Sequence, residues 1–84
     1  MTFTKLRLLE IAGEALYGAG RWQQALAVDI GISPRTMRRW IAGEGEPTKD
    51  AIERATQRVL LRSRVLKSTH ITLARYRDKL PDEA

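Results

Sequence analysis

Two short helical patterns separated by a turn fill residues 23–42, which read QQALAVDIGISPRTMRRWIA. The first pattern predicts a helix over residues 22–30, because Gly31 supplies the left-handed backbone with which helices commonly end. Serine is a favoured N-cap and proline suits the first helical position, so Ser33 and the proline after it predict a second helix over residues 34–42. These two helices and their turn are the most specific structural feature of the sequence.

The sequence around the turn meets the requirements of two helices that pack at a sharp angle. A small residue, Ala27, stands where the two backbones approach, and Gly31 stands at the turn. Apolar side chains converge on the angle between the helices and are supplied by Leu26, Ile30, Ile32, Met37 and Trp40. The stretch is therefore interpreted as a helix-turn-helix.

The second helix of this unit segregates its side chains into an apolar and a basic face. On a wheel of about 100° per residue, its three arginines fall on the face opposite Met37 and Trp40. They are Arg35, Arg38 and Arg39. A helix with such a face can enter the major groove of DNA, where a guanidinium that binds guanine O6 and N7 together discriminates bases by about 1–3 kcal/mol. The alternative is an amphipathic helix with a merely solvated face, which does not explain why the turn chemistry and the arginine face occur together.

The segment over residues 16–47 resembles the helix-turn-helix regulators of the phage repressor and Cro superfamily. It is most similar to short bacterial and prophage forms that read W-Q-x-x-L-A-x-x-x-G-x-S-x-R-T-x-R-R-W-x-x-G. The positions of that pattern are filled here by Trp22, Gln23, Leu26, Ala27, Gly31, Ser33, Arg35, Thr36, Arg38, Arg39, Trp40 and Gly43. The region after Val59 lies outside the resemblance.

The resemblance implies which side chains contact DNA. Gln23, at the start of the first motif helix, would bond a phosphate. The groove would be faced by Ser33, Pro34, Arg35, Arg38 and Arg39. Of these, Arg35 and Arg38 are favoured as base readers, while Arg39 lies more to the side and would hold backbone phosphate. Pro34 stands where many relatives place a polar base-contacting side chain and offers only apolar contact, for instance with a thymine methyl, so the bases that are read stay open.

Helical patterns flank the motif on both sides. Thr4 can cap a first helix that runs to about Tyr17. Its apolar stripe consists of Leu6, Leu9, Ala12 and Leu16. After an acidic loop, Thr48 can cap a fourth pattern that meets no glycine or proline until Pro81. Residues 68–72 form helix poorly, which leaves open whether this pattern splits in two.

The sequence therefore predicts an all-α fold of four to five helices without strands. We divide the chain into a helix-turn-helix DNA-binding core over residues 1–57, a C-terminal helical extension over residues 58–80 and a tail over residues 81–84. Trp22 and Trp40 lie on inner faces, so we expect them to pack in the core rather than to stack on extruded bases.

The C-terminal extension carries apolar residues on two sides of one helix. A seven-residue recurrence, expected to pack on the core, is made by Ile52, Val59, Leu66, Leu73 and Leu80. The companion positions are too polar for a regular leucine zipper, since they hold Ala55, Arg62, Thr69 and Tyr76. Leu61 and Val65 fall on the opposite side, where we expect the dimerisation surface of a homodimer. The alternative is a fifth helix that folds back over these two residues within one chain.

The formal charge of +5 over 84 residues is concentrated in two blocks. Residues 33–42 carry three arginines and no acid, and residues 58–80 carry seven basic residues and one acid. An acidic segment over residues 43–57 separates the two blocks. Such blocks indicate a polyanionic partner, either nucleic acid or an acidic membrane surface. A basic surface kept only for solubility is the alternative.

Composition excludes several classes of site. Without cysteine there is neither a disulfide nor a thiolate zinc site, and His70 alone cannot hold a metal, so no metal or cofactor is expected. The acidic loop Glu44–Glu46 has no nucleophile or paired base, so no enzyme is expected. No apolar run reaches the roughly 20 residues of a membrane span, and the N-terminus does not read as a signal peptide. We therefore expect a soluble, uncleaved, cytoplasmic protein.

The function that the sequence favours is a sequence-specific, double-stranded DNA-binding transcriptional regulator. The simplest form is a dimeric repressor or autorepressor of the phage type that occludes an inverted repeat, with recognition helices about one DNA turn, 34–36 Å, apart. Two alternatives stay open: a protein-interaction module, such as an antitoxin with secondary DNA binding, and a recombination accessory factor. Recovery of a palindrome from random duplexes would distinguish the first function from the others.

Overall fold

A computed structural model describes residues 3–77 and 79–80, which form four helices and no strand. The helices are α1 (Lys5–Tyr17), α2 (Trp22–Asp29), α3 (Pro34–Ile41) and α4 (Lys49–Arg77). The all-α prediction is therefore confirmed, and the predicted ends of α2 and α3 are one residue too long. The predicted tail over residues 81–84 lies outside the described residues.

Three helices begin at the hydroxyl caps that the sequence predicts. Thr4 Oγ1 accepts from the backbone N–H of Arg7 at 3.1 Å. Ser33 Oγ accepts from the N–H of Thr36 at 3.1 Å, and Thr48 Oγ1 accepts from the N–H of Ala51 at 3.1 Å. Each cap satisfies one of the donors that a helix start leaves free, a contribution of about 1 kcal/mol apiece.

The core is built from the first three helices and the first two turns of α4. Its buried apolar residues are Leu9, Trp22, Leu26, Ala27, Ile30, Met37, Trp40, Ala51 and Ala55. Trp22 is 4% exposed and Trp40 is 8% exposed, which confirms that both indoles pack in the core. The core ends near Ala55, less than a third of the way along α4.

A glycine that the sequence analysis did not single out sets how closely α1 and α2 approach. Gly13 is buried in the middle of α1. A Cβ at this position would lie 2.3 Å from Cε3 of Trp22. The absent side chain therefore lets the indole lie directly on the α1 backbone.

Helix α4 is a single helix of 29 residues, about 43 Å long. Residues 68–72 continue it, and the Thr72 hydroxyl donates to the Ser68 carbonyl at 3.1 Å. The question left open by the sequence is therefore answered for the part of the chain that the structure describes, where the pattern forms one helix and no fifth helix follows. Residues 68–72 stay helical because hydroxyl side chains can bond to carbonyls of the preceding turn within a helix when the flanking turns are helical.

The second half of α4 extends away from the core. We call residues 60–77 the arm, whose side chains are exposed except for a half-buried Ala74. The Cα radius of gyration is 17.1 Å, against about 12 Å for a compact domain of this length. The expectation that the whole seven-residue stripe packs on the core is wrong, because Ile52 and Val59 are half-buried whereas Leu66 is exposed beyond the end of α1.

Among the described residues, no helix combines the length and the apolar character that crossing a membrane requires.

Candidate nucleic-acid interface

The turn between α2 and α3 has the geometry that the sequence predicts. Gly31 has a φ of 75°, in the left-handed region where glycine meets no steric penalty. The N–H of Ile32 then donates to the carbonyl of Ala27 at 2.8 Å, which closes the C-terminal end of α2. The side chain of Ala27 is fully buried beneath this turn. The turn fixes the direction in which α3 leaves α2.

Helix α3 divides into a buried and an exposed face. Met37 is 1% exposed, and Trp40 lies beside it in the core. The three arginines on the other face, Arg35, Arg38 and Arg39, are exposed. Their guanidinium groups make no hydrogen bond or ion pair with any other described residue. The helix thus presents three unpaired cations on a support that the core holds in place.

Three arginines of α1 and the first half of α4 are engaged with acids or carbonyls. Arg7 pairs with Glu10, and Arg54 pairs with Asp50 at 3.0 Å. Arg58 Nε lies 3.4 Å from Asp29 Oδ1. No described acid forms an ion pair with the α3 arginines, although the backbone N–H of Glu44 donates to the Arg39 carbonyl at 2.9 Å, so that face stays cationic.

The two residues that begin α3 have structural roles. The Ser33 side chain caps the helix, and its hydroxyl also donates to Thr36 Oγ1 at 2.9 Å. Pro34 occupies the first turn and is half-buried. Both lie at the N-terminal end of α3 next to Arg35, as predicted, but the capping bonds already use the Ser33 hydroxyl.

The N-terminus of α2 is the second cationic feature of this region. Gln23 is exposed in the first turn, and the N-cap residue Arg21 makes no side-chain hydrogen bond to the helix. The first N–H groups of α2 therefore lack a side-chain acceptor, and the helix dipole adds positive potential there. Arg21, which is exposed, was not among the predicted DNA contacts. The sequence feature that could have indicated it is an arginine directly before a helix that lacks a Ser, Thr, Asp or Asn cap.

A clamp at the other end of α2 ties three helices together. The Tyr17 hydroxyl of α1 donates to the Asp29 carboxylate, and Arg58 of α4 contacts the same carboxylate. Arg54 Nη1 donates to the carbonyl of Ile30 at 2.9 Å. The pKa of Tyr17 is raised above its ordinary value of 10.0, chiefly because the phenol is buried and secondly because it donates a hydrogen bond to Asp29. The clamp fixes α2 and hence the orientation of α3.

The clamp gives Arg58 a role that the sequence did not indicate. Arg58 begins the basic block over residues 58–80, for which a polyanionic partner and a merely solvated surface were both open, but its guanidinium is engaged with Asp29 and also lies 3.4 Å from the Asp29 carbonyl. A residue held in this way orients the helices instead. Asp29 follows a valine in the middle of the motif, and no sequence pattern indicated that it would meet a residue of α4.

The predicted dimerisation residues lie apart from the α3 arginines. Leu61 and Val65 are exposed in the first turns of the arm. The structure thus separates the candidate site into a cationic part on α2 and α3 and an apolar part on α4. His70 is exposed on the arm, and Glu46 in the acidic loop lies 3.7 Å from Lys5.

No protein-family model, curated protein or solved structure matches this chain.

Proposed function

We propose that the chain is a sequence-specific, double-stranded DNA-binding transcriptional regulator that acts as a homodimer on an inverted repeat. The observation that carries the proposal is the outer face of α3, where three exposed guanidinium groups have no partner among the described residues. Repression by occlusion is the simplest mode of action, because neither the arm nor the core domain adds a separate ligand-sensing unit. The compartment would be the cytoplasm, where the DNA lies.

The arrangement of the cations supports insertion of α3 into the major groove. Arg35 and Arg38 are three residues apart and therefore project from one side of α3, at a spacing that suits neighbouring base edges. Arg39 projects further to the side, where it would meet a phosphate. Gln23 and Arg21, at the uncapped start of α2, would hold the phosphate backbone next to the groove. Met37 and Trp40 keep the helix from rotating, so the arginines reach the bases in a fixed register.

Base reading is tested by alanine variants of α3 with a control on the same helix. Arg35→Ala and Arg38→Ala should each weaken binding to a selected operator by about 1–3 kcal/mol per half-site and leave binding to random DNA nearly unchanged. Arg39→Ala is the matched control, since loss of a phosphate contact weakens binding to both DNAs alike. Gel-shift titrations, with circular dichroism to verify helix content, measure these effects. Equal losses on operator and random DNA for Arg35→Ala and Arg38→Ala would refute the proposal.

The electrostatic part of the interface is tested by salt. Affinity should fall by about 0.9 log units per log unit of salt for each phosphate that the protein neutralises. Arg21→Ala should reduce that slope by about one such increment, whereas Glu44→Gln on the acidic loop should not reduce it. Binding that is insensitive to salt would contradict the proposal.

A protein-interaction module is the second candidate, and the exposed apolar side chains of the arm favour it. In that case the arm would bind a different protein and DNA binding would be secondary. Selection from random duplexes distinguishes the two functions, because only the first yields a palindrome that the α3 variants fail to bind.

A further inference from the structure

The arm presents one broad apolar face. On a wheel of about 100° per residue, the residues of this face fall within a sector of roughly 140°. They are Leu61, Val65, Leu66, Thr69, Leu73 and Tyr76, and we call them the arm face. Its five apolar members are between 49% and 65% exposed. Leu61 and Val65, which the sequence assigned to a separate side, form one edge of this face, because the core leaves the whole sector uncovered beyond α1.

Most basic residues of the arm lie outside the arm face. Arg64 and Lys67 project from the opposite side of the arm and Arg75 from its flank, whereas Arg62 falls within the sector and Arg77 lies about 20° beyond its edge. Helices that meet through their arm faces would therefore turn most of their positive charge outward. The charge pattern thus permits two identical arms to pair despite the excess of basic residues in the C-terminal extension.

A cleft lies where the arm leaves the core. Its volume is about 380 Å³, and it is lined by Leu16 and Tyr17 from the end of α1, by the charged Asp29 and Arg58, and by the first turns of the arm. The cleft opens onto the arm face at Leu61 and Leu66.

We propose that the arms of two copies cross in antiparallel orientation near Thr69, and that the tip of each arm docks in the cleft of the other copy. This inference rests on the homodimer of the proposed function but not on its DNA binding. A crossing at Thr69 places Val65 beside the partner's Leu73. It also places Arg62 beside the partner's Tyr76, whose ring has Lys79 Nζ 5.2 Å from its centroid on one face and can make a cation–π contact with a guanidinium on the other.

The amount of apolar surface suits a second copy of the chain. The five apolar side chains of the arm face expose on the order of 100 Å² each, so their complete burial in two copies would remove roughly 1,000 Å² from water, about the minimum for a specific interface. An antiparallel crossing at Thr69 pairs Val65 with the partner's Leu73, while Leu61 and Leu66 fall opposite the more polar positions 77 and 72. In a parallel pair, by contrast, Arg62 would meet Arg62 and the arm tips would lie far from the clefts.

Single-cysteine variants test the crossing directly, because the chain has no cysteine of its own. Thr69→Cys should form a disulfide-linked dimer under mild oxidation at tens of micromolar protein. Ile71→Cys is the matched control, since it lies two residues away on the opposite side of the arm, and it should remain uncrosslinked. Val65→Cys and Leu73→Cys should crosslink when mixed but not when each is oxidised alone. All four reactions are measured on non-reducing gels.

Two outcomes would overturn the antiparallel crossing. Self-crosslinking of Val65→Cys and of Leu73→Cys would show a parallel pair. Absence of crosslinking in all variants, with a parent that sediments as a monomer at tens of micromolar, would show that a second copy does not cover the arm face. Binding of that monomer to vesicles of acidic phospholipid would assign the face to a membrane surface instead.

Failure of this inference is distinguishable from failure of the proposed function. Arg38→Ala combined with Thr69→Cys should still crosslink, although its operator binding is reduced. The double change Leu61→Glu and Val65→Glu should give a monomer that binds only a half-site. A crosslinked dimer that selects no palindrome would contradict DNA recognition and leave the arm crossing intact.

Discussion

Replacement of Gly13 by alanine should destabilise the domain, although alanine is the better helix former. In a helix interior, alanine is favoured over glycine by about 1 kcal/mol. Against this gain, the new Cβ would lie 2.3 Å from Cε3 and 2.6 Å from Cδ2 of Trp22, more than 1 Å inside ordinary contact. The obstacle is a rigid ring whose own Cβ is only 2.9 Å away, so relief requires α2 to move relative to α1.

Overpacking of this kind costs about 1–3 kcal/mol, and the severe overlap places Gly13→Ala at or above the upper end of that range. The net loss of about 2 kcal/mol corresponds to a fall in Tm of roughly 8–16 °C for a domain of this size. Thermal melts at one fixed protomer concentration measure it, since a dimer's Tm depends on concentration.

A double-mutant cycle with Trp22→Phe supplies the control for this prediction. Phenylalanine lacks the fused ring that lies closest to the Gly13 backbone. In that background, Gly13→Ala should cost at least 1 kcal/mol less than in the parent, by the same overpacking estimate. A Tm of Gly13→Ala equal to or above that of the parent would refute the reasoning, because it would show that α1 and α2 are not held at this distance by the indole.

Three further predictions concern the core, the clamp and the operator. Trp40→Ala should lose about 3–5 kcal/mol of unfolding free energy, and a thermal melt like that of the parent would contradict its place in the core. Because the pKa of Tyr17 is raised in the folded state, its contribution to stability is complete below pH 10.0 and is lost as the pH rises through the folded pKa. The unfolding free energy of the parent should therefore decline more than that of Tyr17→Phe between pH 8 and about pH 11, and parallel declines would exclude a Tyr17 contribution. Arms that cross near Thr69 would place the first turns of the two α4 helices roughly 60 Å apart, so the crossing replaces the one-turn spacing expected from the sequence with half-sites centred about two DNA turns apart, and a selected spacing of one turn would contradict the crossing.

The helices could be predicted from the sequence because their ends are marked by local chemistry. Thr4, Ser33 and Thr48 each accept a hydrogen bond from an N–H three residues later. Gly31 adopts the positive φ that the turn requires. These bonds depend on residues a few positions apart, so the pattern of residue types determines them. The inward faces of Met37 and Trp40 follow from helical periodicity for the same reason.

The contacts that orient the helices depend on residues far apart in the chain. Asp29 meets Tyr17 across 12 positions and Arg58 across 29. Gly13 accommodates Trp22 only because α1 and α2 pack at one particular distance. No local pattern contains this information, and so the sequence indicated only that Arg58 belongs to a basic block. The continuation of α4 through residues 68–72 was unpredictable for a related reason, because weak helix propensity is overridden when the flanking turns are helical.

The arm links the folding of this chain to its assembly. The core ends near Ala55 and meets only the first turns of the arm, and a helix without tertiary contacts is marginal in water. A helix with five exposed apolar side chains on one face gains the tertiary contact that stabilises it when that face is covered. If the cover is a second copy, the same contact also holds two α3 helices at a fixed separation. Dimerisation would then stabilise the arm helix and also allow both half-sites to be bound at once. A substitution on the arm face would therefore weaken operator binding without touching DNA.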